Sequence, residues 1–127
     1  MKKKIYYWAP YLNEVGTVKS AINSAISLKK FSNDKFEPII INACGEWDKY
    51  INVFSSYNIQ VINLSLLNYF RFLPKNGYIN SRFSYIIIFI FSLIPLLKIL
   101  KKNNESFLIA HLITSLPLFL FYIFNVD

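Results

Sequence analysis

At 127 residues the chain is one domain or part of one, large enough to bury a core but too short for two full nucleotide-binding lobes. Hydrophobic residues reach 54% and aromatics 18%, while charged residues stop at 17%, so part of the surface is expected to meet a membrane or another domain. The net charge of +7, from 14 Lys and Arg against 7 Asp and Glu, is spread out with no Arg-rich helix or RNA-binding signature, so nucleic acid is not an expected partner.

Lys2, Lys3, Lys4, Lys98, Lys101 and Lys102 flank apolar segments, which suits attraction to anionic lipid. An AT-rich coding sequence favouring Lys, Ile, Asn, Phe and Tyr would give the same excess. The single cysteine, Cys44, excludes a disulfide framework or a zinc cluster and fits a reducing compartment. Met1 to Lys4 resembles the basic start of a signal peptide, but the following apolar run stops at Pro10, too short for secretion.

In chain order, Lys4 to Ala9 is predicted as a first strand, rich in Ile, Tyr and Trp and ended by Pro10. A loop through Asn13, Glu14 and Gly16 leads to a helix. Its apolar positions Val18, Ala21, Ile22, Ala25 and Ile26 recur at steps of three and four, with Thr17 as a candidate N-cap. Pro38 to Ala43, with three consecutive isoleucines, reads as a strand buried on both faces of a parallel sheet. Gly45 turns the chain, Trp47 to Tyr57 has helical spacing, and Asn58 to Leu64 reads as a third strand.

From Ser65 to Arg82 no period is visible, and Pro74 with Asn76-Gly77 marks a turn within an unusually long connection. Phe83 to Leu97 carries no charge and ends at Lys98, Lys101 and Lys102, as expected of a helix whose basic last turn complements its dipole. At ~1.5 Å per residue this uncharged run covers about 22 Å, short of a bilayer core of roughly 30 Å. Pro95 argues only modestly against spanning.

Phe107 to Val126 is long enough to span, but His111, Thr114, Ser115, Pro117 and Asn125 interrupt it. A short strand from Phe107 to Ala110, a polar loop, and a helix capped by Thr114 or Ser115 with Pro117 in its first turn account for it better. The competing reading is a two-span hairpin of Phe83 to Leu100 and Phe107 to Val126.

Alternating strands and helices imply an α/β fold, a Rossmann-like parallel sheet of order 3-2-1-4 flanked by helices. That order makes the first and fourth strands neighbours and brings Asn13, Glu14, Gly16, Thr17, His111, Thr114 and Ser115 toward one crevice at the topological switch point. A dinucleotide site would need several glycines after the first strand. Here Gly16 stands alone, either to serve the turn or to let helix N–H groups approach a phosphate. His111, the only histidine, could bond a sugar hydroxyl or a developing leaving-group charge, or simply be satisfied by nearby backbone. Glu14 could accept from an acceptor hydroxyl or be solvated, and Glu46 could approach a ligand, although solvation is the expectation for it. Tyr69, Phe70, Arg71, Phe72, Lys75, Tyr78 and Arg82 could stack on sugars and pair with phosphate, or merely bury the long loop.

Three segments, Lys4-Ile5-Tyr6-Tyr7-Trp8-Ala9-Pro10, Asn13-Glu14-Val15-Gly16-Thr17 and Leu97-Lys98-Lys102 leading into Leu108-Ile109-Ala110-His111-Leu112, resemble the N-terminal half of retaining glycosyltransferases of the family 4 type, with the two-lobed GT-B fold. The resemblance covers essentially the whole chain and looks closest to bacterial transferases that build surface polysaccharides on lipid carriers. It implies a nucleotide-sugar donor, a lipid-linked or glycan acceptor, no metal or other cofactor, and peripheral contact with the cytoplasmic face of the plasma membrane. It maps donor-phosphate contacts onto Gly16 and Thr17 and the strand-end histidine, as catalytic residue, onto His111. Asn13, Glu14, Thr114 and Ser115 would contact donor phosphate or acceptor, and Arg71, Lys75 and Arg82 would form a membrane or acceptor loop. Two departures stand out: Val15-Gly16 where the family often has two glycines, and Glu105-Ser106 where it has an aspartate. The family's donor-binding glutamates belong to a C-terminal lobe, so residues 1–127 are expected to form a truncated lobe, inactive without a separate partner lobe. The competing classes are a small two-span membrane protein without enzymatic activity and a soluble nucleotide-binding module.

Overall fold

The computed structural model describes residues 2–10, 16–64, 67–70, 72–74, 77–102 and 106–110. Four strands, β1 (Lys3–Trp8), β2 (Phe36–Asn42), β3 (Gln60–Asn63) and β4 (Ser106–Ala110), form one sheet in the order β3-β2-β1-β4. Every pairing is parallel. This is the α/β, Rossmann-like arrangement expected from the alternation of elements, with the strand order 3-2-1-4.

The two central strands, β1 and β2, are buried on both sides toward their carboxyl ends because consecutive side chains of a strand point to opposite faces and both faces there are apolar. Ile39, Ile40 and Ile41 of β2 are almost completely buried, as are Tyr6, Tyr7 and Trp8 of β1. On one face Tyr7 and Ile40 pack with Val18, Ala21, Ile22 and Ala25 of α1 (Gly16–Phe31) and with Phe54 of α2 (Ile51–Ser56). On the other, Tyr6, Trp8, Ile39 and Ile41 pack with Phe70 of α3 (Leu67–Phe70) and with Ile88, Phe89, Leu93, Leu96 and Leu100 of α4 (Tyr78–Lys101). The Trp8 and Phe89 rings lie 5.5 Å apart, tilted by 35°. Strand order reverses direction after β3, and right-handed crossovers then require α4 to cover the face opposite α1.

The apolar stripe of α1 falls on the residues expected to carry it, and the Tyr7 hydroxyl and Ser24 Oγ, 3.0 Å apart, fasten this helix to β1. The segment after Gly45 departs from one continuous helix. It starts as a 3-10 turn over Asp48–Tyr50, with the Tyr50 N–H donating to the Trp47 carbonyl, before α2 begins at Ile51.

The largest correction concerns the connection expected to lack structure from Ser65 to Arg82. It contains α3, and α4 begins at Tyr78, five residues before Phe83. Gly77, at φ 92° and ψ 143°, leads into this helix, and Ser84 Oγ donates to the Pro74 carbonyl at 2.9 Å. With 24 residues α4 is about 36 Å long at ~1.5 Å per residue, so it is long and apolar enough to cross a membrane, its most apolar 18 residues having a mean hydropathy of 2.3. Its inner face is nevertheless committed to the sheet. Residues 106–110 are a strand paired with β1, so a helix running through Phe107 to Ala110 is not formed.

Candidate functional site

The edge of interest lies at the carboxyl ends of the strands, where open α/β sheets hold ligands outside the switch point. Here that point lies between β1 and β4. Trp8 is the register partner of Ala110, so the chain leaves β1 through Ala9 and Pro10 directly beside the place where β4 ends. Gly16 is the first residue of α1 and returns the chain into the layer that covers this sheet.

Of the site residues expected from sequence, Gly16, Thr17 and Arg82 are described. Gly16 is exposed, and among the described residues a Cβ built on it would meet no atom within 4 Å beyond its chain neighbours and its own helix backbone. Thr17 is exposed and sits inside the first turn of α1, which corrects its assignment as the N-cap: the helix is already formed at Gly16. Arg82 belongs to α4 and not to a loop, because the helix opens at Tyr78, and its guanidinium stacks 3.8 Å from the Tyr78 ring centre. Asn13, Glu14, Arg71, Lys75, His111, Thr114 and Ser115 lie outside the described residues. The aromatic cluster of the long connection divides. Phe70 is buried under the sheet, whereas Tyr69, Phe72 and Tyr78 are exposed.

Sequence reasoning missed a polar knot on the same edge, at the carboxyl end of β2. Asn42 is fully buried and is the register partner of Asn63 on β3. Its Nδ2 donates to Asn63 Oδ1 and to Asp48 Oδ1, each at 2.9 Å, while its Oδ1 accepts from the Trp47 N–H at 3.4 Å. One amide therefore ties two strand ends to the start of the next helical segment. The signal for it in the sequence is an asparagine one residue before the end of each apolar run, Asn42 before Ala43 and Asn63 before Leu64.

Glu46 completes the knot and corrects the expectation that it is solvated. Its carboxylate is buried, with Oε1 accepting from the Ala43 N–H at 2.9 Å and Oε2 from the Cys44 N–H at 2.6 Å. Removal from water destabilises the charged form and pushes its pKa up to about 6, against the opposing pull of the backbone N–H donors. Gly45, at φ 86°, gives the reversal that lets Glu46 fold back on the two preceding residues. This carboxylate holds the shape of the loop. Among the described residues, no three His, Cys, Asp or Glu side chains gather as a metal site would require.

An open depression lies at the other end of the strands, lined by Lys3, Ile5, Lys35, Phe36 and Phe107. Lys3 Nζ stands 5.9 Å from the Phe107 ring centre. It gathers residues from the amino ends of β1, β2 and β4 and is thus remote from the switch-point edge.

No protein family, curated protein or solved structure matches this chain.

Proposed function

We propose that the chain is the acceptor-side lobe of a retaining, GT-B-type glycosyltransferase that transfers a sugar from a nucleotide-sugar donor to a lipid-linked or polysaccharide acceptor at the cytoplasmic membrane face. The observation that supports this reading best is the pairing of Trp8 with Ala110 in a sheet of order 3-2-1-4. It brings the chain segments on either side of the switch point to one edge, and His111 is the next residue after Ala110. In this reading, N–H groups near Gly16 and Thr17 approach the donor diphosphate, and His111 bonds the reacting sugar or its leaving oxygen. Catalysis would then consist of holding donor and acceptor together and stabilising the charge that develops on the leaving diphosphate. In this reading the nucleotide is gripped by a second lobe, and the present lobe holds the acceptor.

A second reading, a small membrane protein without enzymatic activity, draws on the length and hydropathy of α4. It requires that helix to give up the sheet contacts of Ile88, Phe89, Leu93 and Leu96.

The test is transfer of labelled sugar from UDP- and GDP-sugars into lipid extract by the whole gene product that contains this lobe, with His111→Ala beside it. Label incorporated by the parent and lost in the variant supports the reading. No transfer, together with a reading frame that encodes no second βαβ block carrying paired glutamates, overturns it.

A further inference from the structure

We propose that α4 is an in-plane membrane anchor: its outer stripe of Ile79, Phe83, Ile86, Ile90 and Ile94 enters the surface of an anionic bilayer while its inner face stays packed on the sheet. The five residues recur at steps of four, three, four and four, which at 3.6 residues per turn places them within a sector about 80° wide. Their exposures are 77%, 62%, 47%, 54% and 63%, on a helix whose sheet-facing side contains the buried Ile88, Phe89 and Leu96, with the buried Leu93 and Leu100 along one margin of the stripe. A soluble surface does not ordinarily expose a contiguous apolar stripe along four turns of helix.

Charge identifies the occupant. Between Tyr78 and Lys101 the helix carries Arg82, Lys98 and Lys101 and no Asp or Glu. On a helical projection Lys101 continues the line of the stripe, and Arg82 and Lys98 lie to either side of it. Basic residues framing an apolar stripe match anionic headgroups above an acyl layer, the pattern of helices that lie within a membrane interface. A second copy of the chain fits worse, since pairing two such helices would bring their cations together with no acid on either one. A transmembrane position fits worse as well. It would strip Leu96, Phe89 and Ile88 from Trp8, Ile39 and Ile41.

The proposal rests on α4 itself and stands apart from the sugar-transfer reading, although it provides the surface at which a lipid-linked acceptor would be met. The test uses the full chain carrying Ile90→Cys, labelled with an environment-sensitive fluorophore; Cys44 is 1% exposed and escapes the label. Vesicles of phosphatidylcholine alone, or mixed with phosphatidylglycerol, are then added. The expected result is a blue shift and co-flotation with the mixed vesicles only, reduced by high salt and released by alkaline carbonate. Ile90→Glu with Ile94→Glu, and separately Lys98→Glu with Lys101→Glu, should lower flotation about tenfold or more, with unchanged circular dichroism. A label already blue-shifted without vesicles would mean that protein covers the face and would overturn the proposal. So would flotation unaffected by either pair of substitutions, or retention of the chain in carbonate-washed membranes. Sugar transfer by a gene product that ignores vesicles would remove the anchor and leave the transferase reading intact.

Discussion

Asn42 and Asn63 end neighbouring parallel strands at the same register, and the amide of the first donates to the amide oxygen of the second at 2.9 Å. Their side chains share the sheet face that α2 covers, so the same Asn42 Nδ2 also reaches Asp48. Asn42→Leu removes both donated bonds and the one accepted from the Trp47 N–H, and leaves Asp48 and Asn63 acceptors facing an apolar group. It should cost about 2–3 kcal/mol, read from the urea midpoint. Asn42→Asp sets a carboxylate against two acceptors and should be destabilised more at pH 7 than at pH 4. Equal losses at both pH values would contradict the donor role given to Asn42.

Glu46 makes stability depend on pH in the direction opposite to most carboxylates. Its folded pKa, about 6, lies above the ordinary value of 4.5, so between these values the folded chain binds more protons than the unfolded one. Stability from this group is therefore fullest below about 4.5 and falls as pH rises through 6, by roughly 2 kcal/mol in all. Glu46→Gln cannot titrate. Denaturant midpoints taken from pH 4 to pH 7 should fall for the parent across this window relative to the variant. Parallel curves would show that the buried carboxylate is not the titrating group.

Gly77 enters α4 at φ 92° and ψ 143°, a region that residues with a Cβ occupy only under strain. A Cβ there would have room, its nearest neighbour being Asn80 Nδ2 at 3.7 Å, so the penalty of Gly77→Ala is conformational and not steric. A loss of about 1–3 kcal/mol in thermal unfolding is expected. Ser84→Ala, which removes the bond to the Pro74 carbonyl, should cost about 1 kcal/mol and test the same junction from its other side.

Gly16 offers the converse case. Among the described residues, apart from its chain neighbours and its own helix backbone, nothing lies within 4 Å of a Cβ at this position, and alanine favours a helix more than glycine does. Gly16→Ala should therefore leave stability within about 0.5 kcal/mol of the parent or raise it. If the donor diphosphate approaches here, as proposed, the same change should still depress sugar transfer by the whole gene product. A variant that is both stable and fully active would remove Gly16 from the site.

These contrasts explain what could be read from the residues alone. Ile39-Ile40-Ile41 announces a doubly buried strand because both faces of the central strands are covered, and the order of elements then limits the topology. The start of α4 was hidden because Asn80, Ser81 and Arg82 make its first turn polar, and that turn projects past the sheet, with Tyr78, Ile79, Asn80 and Arg82 all exposed. The Asn42 to Asn63 bond joins residues 21 apart and depends on strand register, which periodicity does not specify. Glu46 looked like a loop carboxylate because its partners are backbone N–H groups of its own turn, which leave no trace in side-chain spacing.

The two sides of α4 supply the last prediction, because residues of one kind on one helix should respond oppositely. Ile88 is fully buried among Trp8, Ile41 and Leu96, and Ile88→Ala should cost about 2–5 kcal/mol through lost burial and the cavity left behind. Ile94 is 63% exposed, so Ile94→Ala removes little buried area and should change stability by less than about 0.5 kcal/mol. Chemical unfolding of both variants in dilute buffer, without lipid, makes the comparison. A large loss from Ile94→Ala would show that this face is already covered by protein, and the bilayer anchor would fall with it. A small loss from both would mean that α4 does not depend on its contacts with the sheet, leaving the helix free to cross a membrane.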